Sequence, residues 1–464
     1  MTQGIPWAAT RRWRMASDRV EVEEETTSLP AMEDLQAEAT ELLQRLIRFN
    51  TVNPPGAERP AQEHLAGLLR DAGFAVELLG RTPERPNLVA RLAGAGDGPT
   101  LCLLSHVDTV LATAENWEHD PWSGDLADGC VWGRGALDMK SQTAAEVTAA
   151  LHLARAGWRP ARGDLLVVVV VDEETGGAEG AEWLCAEHPD KVRCDLLLNE
   201  GGGPVIPYDG GRVYGVCVAE KGVFRFTLRT AGVAGHASMP RIGENALLKM
   251  APLLRAMDER QPAFDLTDAP SALLERLGIA VDGDPGAALE RLRARDSALA
   301  DLVEPMLGVT LAPTRISASE QINVIPASAE LQVDCRVPPG LGREHAERRV
   351  REVLGADGYR LRFFEEVVGN ASPSDGPLME AIVDWVGEQD PEARVVPTML
   401  PAFTDSRTFR DAFPEVVAYG FCPHRHMTIY ETWPLVHSAD ERIDVRDLGF
   451  AATFFRDVTV RLLG

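Results

Sequence analysis

At 464 residues the chain is too long for one ordinary core, so at least two domains are expected. Its apolar content of 45% is that of a soluble globular fold, and a formal charge of −25, from 46 basic against 71 acidic side chains, excludes nucleic acid and anionic membrane, which would repel it. Cations and small polar substrates remain.

Residues 1–30 carry Arg11-Arg12-Trp13-Arg14, but the acidic run Glu21 to Glu25 stands where an apolar signal core would be, so a disordered extension is expected. Leu35, Ala39, Leu42, Leu46 and Ile47 recur at helical spacing, and Asn53-Pro54-Pro55-Gly56 stops that helix. A second helix bearing Leu65, Leu68 and Leu69 ends near Gly73, before a strand at Ala75 to Leu79. Strands follow at Thr100 to Ser105, Leu165 to Val171 and Asp195 to Asn199, with a helix over Met139 to Gly157. Uninterrupted β-branched runs suit strands buried on both faces, hence an α/β fold with a mainly parallel sheet flanked by helices.

From Gly222 the texture changes. Val223 to Leu228 and Ala329 to Asp334 alternate at period two, which predicts sheets with one wet face, and the charge-rich stretch from about Ser271 to Leu307 reads as helical. These features predict an α+β domain inserted at 219–366 between two parts of one larger domain, 31–218 and 367–464. Helices over Leu378 to Val386 and Asp447 to Leu463 belong to the second part. Seven scattered cysteines with no CxxC spacing, and no apolar run near the roughly 20 residues of a membrane helix, predict a reduced, cytoplasmic protein.

The chemistry sits where three apolar strands stop. Thr100 to Ser105 runs into His106 and Asp108, Leu165 to Val171 into Asp172, Glu173 and Glu174, and Asp195 to Asn199 into Glu200. Ligands gather at the carboxyl ends of strands in open α/β sheets, so these groups should converge. With Asp138, in Gly133 to Lys140, and His437, they outline a dinuclear metal site in which Asp138, Glu174 and Glu200 with one further anion balance two divalent cations. Asp138 is the natural bridge and Asp108 the acceptor that orients the His106 ring. Of the adjacent Glu173 and Glu174, one can ligate while the other serves as general base. His-x-Asp or Asp-Glu-Glu alone is commonplace at a protein surface; all of them following core strands is not.

Ser105-His106-Val107-Asp108-Thr109-Val110, Gly133 to Lys140, Asp172-Glu173-Glu174-Thr175-Gly176, Asn199-Glu200-Gly201-Gly202 and His437-Ser438-Ala439-Asp440-Glu441 resemble the successive signatures of the zinc aminoacylase and carboxypeptidase family, over about residues 35–464. That family includes acetylornithine deacetylase, succinyl-diaminopimelate desuccinylase, glutamate carboxypeptidase and dipeptidases. The resemblance implies two zinc ions per chain, replaceable by Co²⁺ or Mn²⁺, one held by His106 and Glu200, the other by Glu174 and His437, with Asp138 bridging and Glu173 activating water. It also implies a cis peptide after Asp138 and an inserted domain that serves as lid and homodimer interface.

In that insert, Gly235-His236-Ala237-Ser238 resembles the segment whose histidine donates to the oxyanion in the partner's site, and Asn323 and Arg336 match residues that contact substrate carbonyl and carboxylate. An arginine suits a carboxylate because its planar fork pairs bidentately. One loop departs from the family: many relatives have Gly-Gly-Thr-Asp near the substrate, whereas Leu400 to Arg407 keeps Thr404-Asp405 as substrate-binding candidates and loses the glycines. His424 and His426 read as residues of a polar loop rather than ligands.

The expected activity is cleavage of an amide or peptide bond beside a free carboxylate, in a dipeptide, a C-terminal peptide bond or an N-acyl amino acid. Two alternatives stand beside it: a dedicated biosynthetic deacylase of the acetylornithine or succinyl-diaminopimelate type, and a non-catalytic metal-binding or assembly protein.

Overall fold

The computed structural model describes residues 32–464; the extension expected at 1–30 lies outside them. Ten strands form one large sheet whose centre is parallel: Thr100–His106 runs between Asp164–Val170 and Leu196–Asn199, and Val417–Gly420 continues beside the latter. Antiparallel pairs flank it, Ala75–Leu79 with Asn87–Ala93 on one side and Pro204–Tyr208 with Gly211–Glu220 on the other. The apolar runs explain this centre. Leu101, Leu103, Leu165, Val167 and Val169 face one core, and Cys102, Leu104, Leu166, Val168 and Val170 face a second on the opposite side. Helices Met32–Ile47, Lys140–Arg155, Pro377–Gln389 and Val445–Leu463 cover the first face; Ala181–Glu187 and Asp405–Ala412 cover the second. Because the parallel strands share a direction, their carboxyl ends share an edge, and the site lies there.

A separate five-stranded antiparallel sheet is built from Gly222–Val223, Phe226–Ala231, Thr310–Ser317, Ser328–Val337 and Arg360–Phe363. Its buried face, with Phe226, Leu228, Leu331 and Val333, packs against helices Ala246–Glu259 and Arg343–Leu354, as the period-two pattern requires. Gly235–His236 pairs with Val324–Ile325 in a small two-stranded ladder.

The helical stretch between these strands packs against the large sheet. Asp268–Arg276, Pro285–Arg295 and Ser297–Val303 place Leu273, Leu277, Leu289 and Leu299 against Ile206, Tyr208, Val213 and Val396 of the large sheet. Tyr208 Oη donates to Leu277 O at 3.2 Å, and Arg276 Nη1 to Val395 O at 3.1 Å. An amphipathic pattern says that a face is covered, not by what, so the sequence pattern does not encode which sheet this stretch packs on. Among the described residues no helix is long and apolar enough to cross a membrane, and all seven cysteines are free.

Candidate metal centre

Three strand ends feed one crevice. Thr100–His106 ends in His106, Asp164–Val170 leads to the one-turn helix Glu173–Thr175, and Leu196–Asn199 leads to Glu200. Asp172 opens the turn at φ 71°, a left-handed conformation that aspartate tolerates better than most residues. The turn separates the two glutamates: Glu173 Oε2 lies 3.9 Å from His106 Nε2, whereas Glu174 Oε2 lies 3.1 Å from His437 Nε2.

Asp138 stands between the histidines. Its Oδ1 is 3.2 Å from His106 Nε2 and its Oδ2 is 3.0 Å from His437 Nε2. Glu200 Oε1 is 3.6 Å from His106 Nε2. Two donor groups result, His106 with Asp138 and Glu200, and Asp138 with Glu174 and His437, each with its donor atoms within 4.8 Å of one another. They share Asp138. The Asp138–Met139 peptide is cis.

The electrostatics of this cluster call for cations. Burial and the neighbouring carboxylates push Glu173 and Glu200 well above the ordinary carboxylate range, and burial with the Asp138 charge raises Glu174. Burial also raises Asp138, but hydrogen bonds and charges from His106 and His437 outweigh it and hold this carboxyl below its usual value. His437, bonded to Asp138 and Glu174, is pushed up to about 10. Crowded carboxylates disfavour their own ionisation, and two imidazoles with three carboxylates form a donor set that fits two divalent ions.

A polar lattice holds the donors. Asp108 Oδ1 accepts from Glu173 N and Oδ2 from Glu174 N, both at 3.2 Å, fixing the turn that separates the glutamates. His106 Nδ1 lies 3.1 Å from Asp108 O and 3.6 Å from Asp108 Oδ1. Asn53 Nδ2 reaches Asp108 Oδ2, Asp172 Oδ1 and Thr175 Oγ1 at 2.9, 3.0 and 3.0 Å. Arg85 pairs with Glu58 and donates to Asp172 Oδ1 at 3.0 Å. Glu441, buried, binds Arg134 and three backbone amides of the Asp138 loop. Sequence reasoning gave none of Asn53, Glu58, Arg85 or Glu441 a role at the site. Asn53 carried only its signal as a helix stop, and Glu441 only its place in a motif.

Of the other candidates, Asp405 lies within electrostatic reach of His106, Glu173 and Glu200, while the rest are exposed or engaged with other partners. His236 is exposed on the small ladder, where its Nδ1 accepts from Ser238 Oγ at 2.8 Å, and Asn323 is exposed beside it. Arg336 binds Asp334 at 2.7 and 3.2 Å and lies 6.0 Å from the centre of the Phe403 ring; Arg407 lies 5.2 Å from the same centre. Thr404 Oγ1 donates to Glu220 Oε1 at 2.6 Å and accepts from Ser406 N at 3.2 Å, so this hydroxyl caps helix Asp405–Ala412. Asp405 is buried, and burial pushes its carboxyl up to about 7. His424 and His426 form the short strand His424–Thr428 rather than a loop, and neither joins a donor group.

A model of peptidase family M20/M25/M40 matches residues 102–461. A succinyl-diaminopimelate desuccinylase of Xanthobacter autotrophicus is 28% identical over 431 residues, covering 90% of this chain and 98% of that protein. The M20 family metallo-carboxypeptidase Sso-CP2 from Sulfolobus solfataricus shares the fold with a TM-score of 0.68 at 15% identity, over 92% of this chain and 99% of that one. Human carnosine dipeptidase 1 shares it with a TM-score of 0.64 at 15% identity, over 94% and 100%. The chain belongs to peptidase family M20/M25/M40 and is a hydrolytic enzyme, which sets aside the non-catalytic alternative.

Proposed function

We propose that this hydrolase carries two zinc ions and cleaves an amide or peptide bond next to a free carboxylate. The observation that carries the reading is the Asp138 carboxylate, which offers one oxygen to each histidine-containing group. His106 and Glu200 would hold one ion, Glu174 and His437 the other, and Asp138 would be shared by both. Bound zinc supplies Lewis acidity to the scissile carbonyl and lowers the pKa of water. Glu173, in neither group yet 3.9 Å from His106, takes the proton of the attacking water on Oε2 and delivers it to the leaving nitrogen. Its raised affinity for a proton suits that exchange. Arg336 anchors the substrate carboxylate and Asn323 its carbonyl. Thr404 and Asp405 shape the pocket wall, Thr404 by capping the helix that holds Asp405.

A homodimer completes the site, with His236 of one subunit donating to the oxyanion in the other. Val233, Met239, Ile242, Leu248, Ile316 and Ile322 are exposed on the insert and supply an apolar surface for that contact. Seven free cysteines suit a reduced cytoplasmic setting. For the substrate, the desuccinylase relatives favour a dedicated deacylase as the second reading, while Phe403 in place of a glycine favours a peptidase or aminoacylase of broader range. The test is zinc content and turnover measured on one sample, with dipeptides, N-acetyl amino acids and N-succinyl amino acids as substrates. Zinc-dependent turnover of at least one class, lost on chelation, is expected. Activity indifferent to chelation overturns the reading.

A further inference from the structure

Outside the donor atoms themselves, the Glu441 carboxylate accepts four hydrogen bonds, all of them from the loop that bears Asp138. It is 1% exposed. Its Oε2 accepts from Arg134 Nη1 at 2.6 Å and from Gly135 N at 3.1 Å; its Oε1 accepts from Leu137 N at 2.7 Å and Asp138 N at 2.9 Å. The loop can aim three amides at one carboxylate because Gly135 adopts φ 89°, which a side chain would oppose. The Glu441 main chain joins in, its carbonyl accepting from Gly133 N at 2.9 Å, and the contact continues as Arg442–Asp444 pairing antiparallel with Cys130–Trp132. Four residues before Glu441 stands His437, held at φ 60°.

We infer that Glu441 is a positioning residue that locks the loop bearing Asp138 to the loop bearing His437, and so sets the spacing within the Asp138, Glu174 and His437 group. His106 and Glu200 need no such clamp, since each sits at the end of a central strand. His437 lies on no strand or helix, and Asp138 lies on a turn. Anionic acceptors on backbone amides are strong and directional, and outer partners of metal-holding residues typically set about 10–100-fold in metal affinity. The inference rests on the two-ion reading and concerns which ion depends on the clamp.

The test is Co²⁺ titration of chelator-stripped wild type and Glu441→Gln, read by visible absorption, with circular dichroism to verify the fold. Gln keeps the shape but turns an N–H toward donors on one side. Two binding steps are expected in the wild type; in Glu441→Gln the step of the Asp138, Glu174 and His437 group should weaken by about 10–100-fold, and by several-fold more than the other, which shares only Asp138 with the clamped loops. Equal weakening of both steps, or none, overturns the inference. A wild type that takes up no Co²⁺ instead overturns the two-ion reading. Hydrogen exchange on the stripped wild type needs no variant: the Gly135, Leu137 and Asp138 amides should be protected before any metal is added, and exchange at unstructured rates overturns the clamp.

Discussion

Asn53 and Asp108, 55 residues apart in sequence, are joined by a buried hydrogen bond of 2.9 Å from Nδ2 to Oδ2. The same Oδ2 accepts from the Glu174 amide, so the turn after the first helix helps to fix where the glutamate pair points. Asn53→Ala leaves Asp108 and Asp172 short of a shared donor. kcat should fall by about 10–100-fold with KM changed less, while metal content is kept. Steady-state kinetics and metal analysis check this; a change confined to KM would contradict it.

Glu173→Gln preserves both donor groups, because Glu173 belongs to neither, and removes the proton carrier. Metal stoichiometry should match the wild type while kcat drops by about 10²–10⁴. Near-normal turnover in a fully metallated variant would remove Glu173 from its role.

His236 is exposed on the small two-stranded ladder, which is separate from the sheet whose strand ends build the site. If it acts across a two-fold interface, His236→Ala and Glu173→Gln are each inactive alone, but re-equilibrated together they recover up to about a quarter of wild-type activity, since half the dimers are mixed and each has one competent site. Verified mixed dimers as inactive as their parents would place His236 outside the partner's site.

Glu146, on the helix Lys140–Arg155, is fully buried; Oε1 accepts from Gln142 Nε2 at 2.8 Å, Oε2 has no partner, and burial pushes the carboxyl up to about 8. The folded chain therefore keeps a proton that the unfolded chain releases near pH 4.5. The stability tied to this proton is complete below that pH and is lost as pH rises toward 8. Glu146→Gln should match the wild type near pH 4.5 and exceed it by on the order of 3 kcal/mol at pH 7. Urea unfolding across this range checks the slope, and a pH-independent difference would contradict it.

The centre of the fold was legible because its signal is local. Strands buried on both faces write continuous apolar runs, and a ligand at a strand end stands next to such a run, as His106 and Glu200 do. The lattice behind the donors left no such mark. Asn53 meets Asp172 across 119 residues and Glu441 meets Asp138 across 303, and no periodicity encodes a contact made only after the sheet has closed. Thr404 shows the same limit from the other side, since a hydroxyl in a motif reads alike whether it faces a substrate or caps its own helix.

The three short helices between Asp268 and Val303 change how the smaller sheet is tied down. A simple insertion leaves and re-enters its host once, a two-rope suspension about which it can swing. Here the chain crosses from large sheet to small after Glu220, returns before Asp268, crosses again before Thr310 and returns after Phe363. Lys221 knots two of these ropes together, its Nζ donating to Pro305 O at 2.8 Å and Gly308 O at 2.6 Å. With four crossings and the Lys221 link between two of them, the smaller sheet is tied to the larger unit at more points than an insertion with one exit and one return would be.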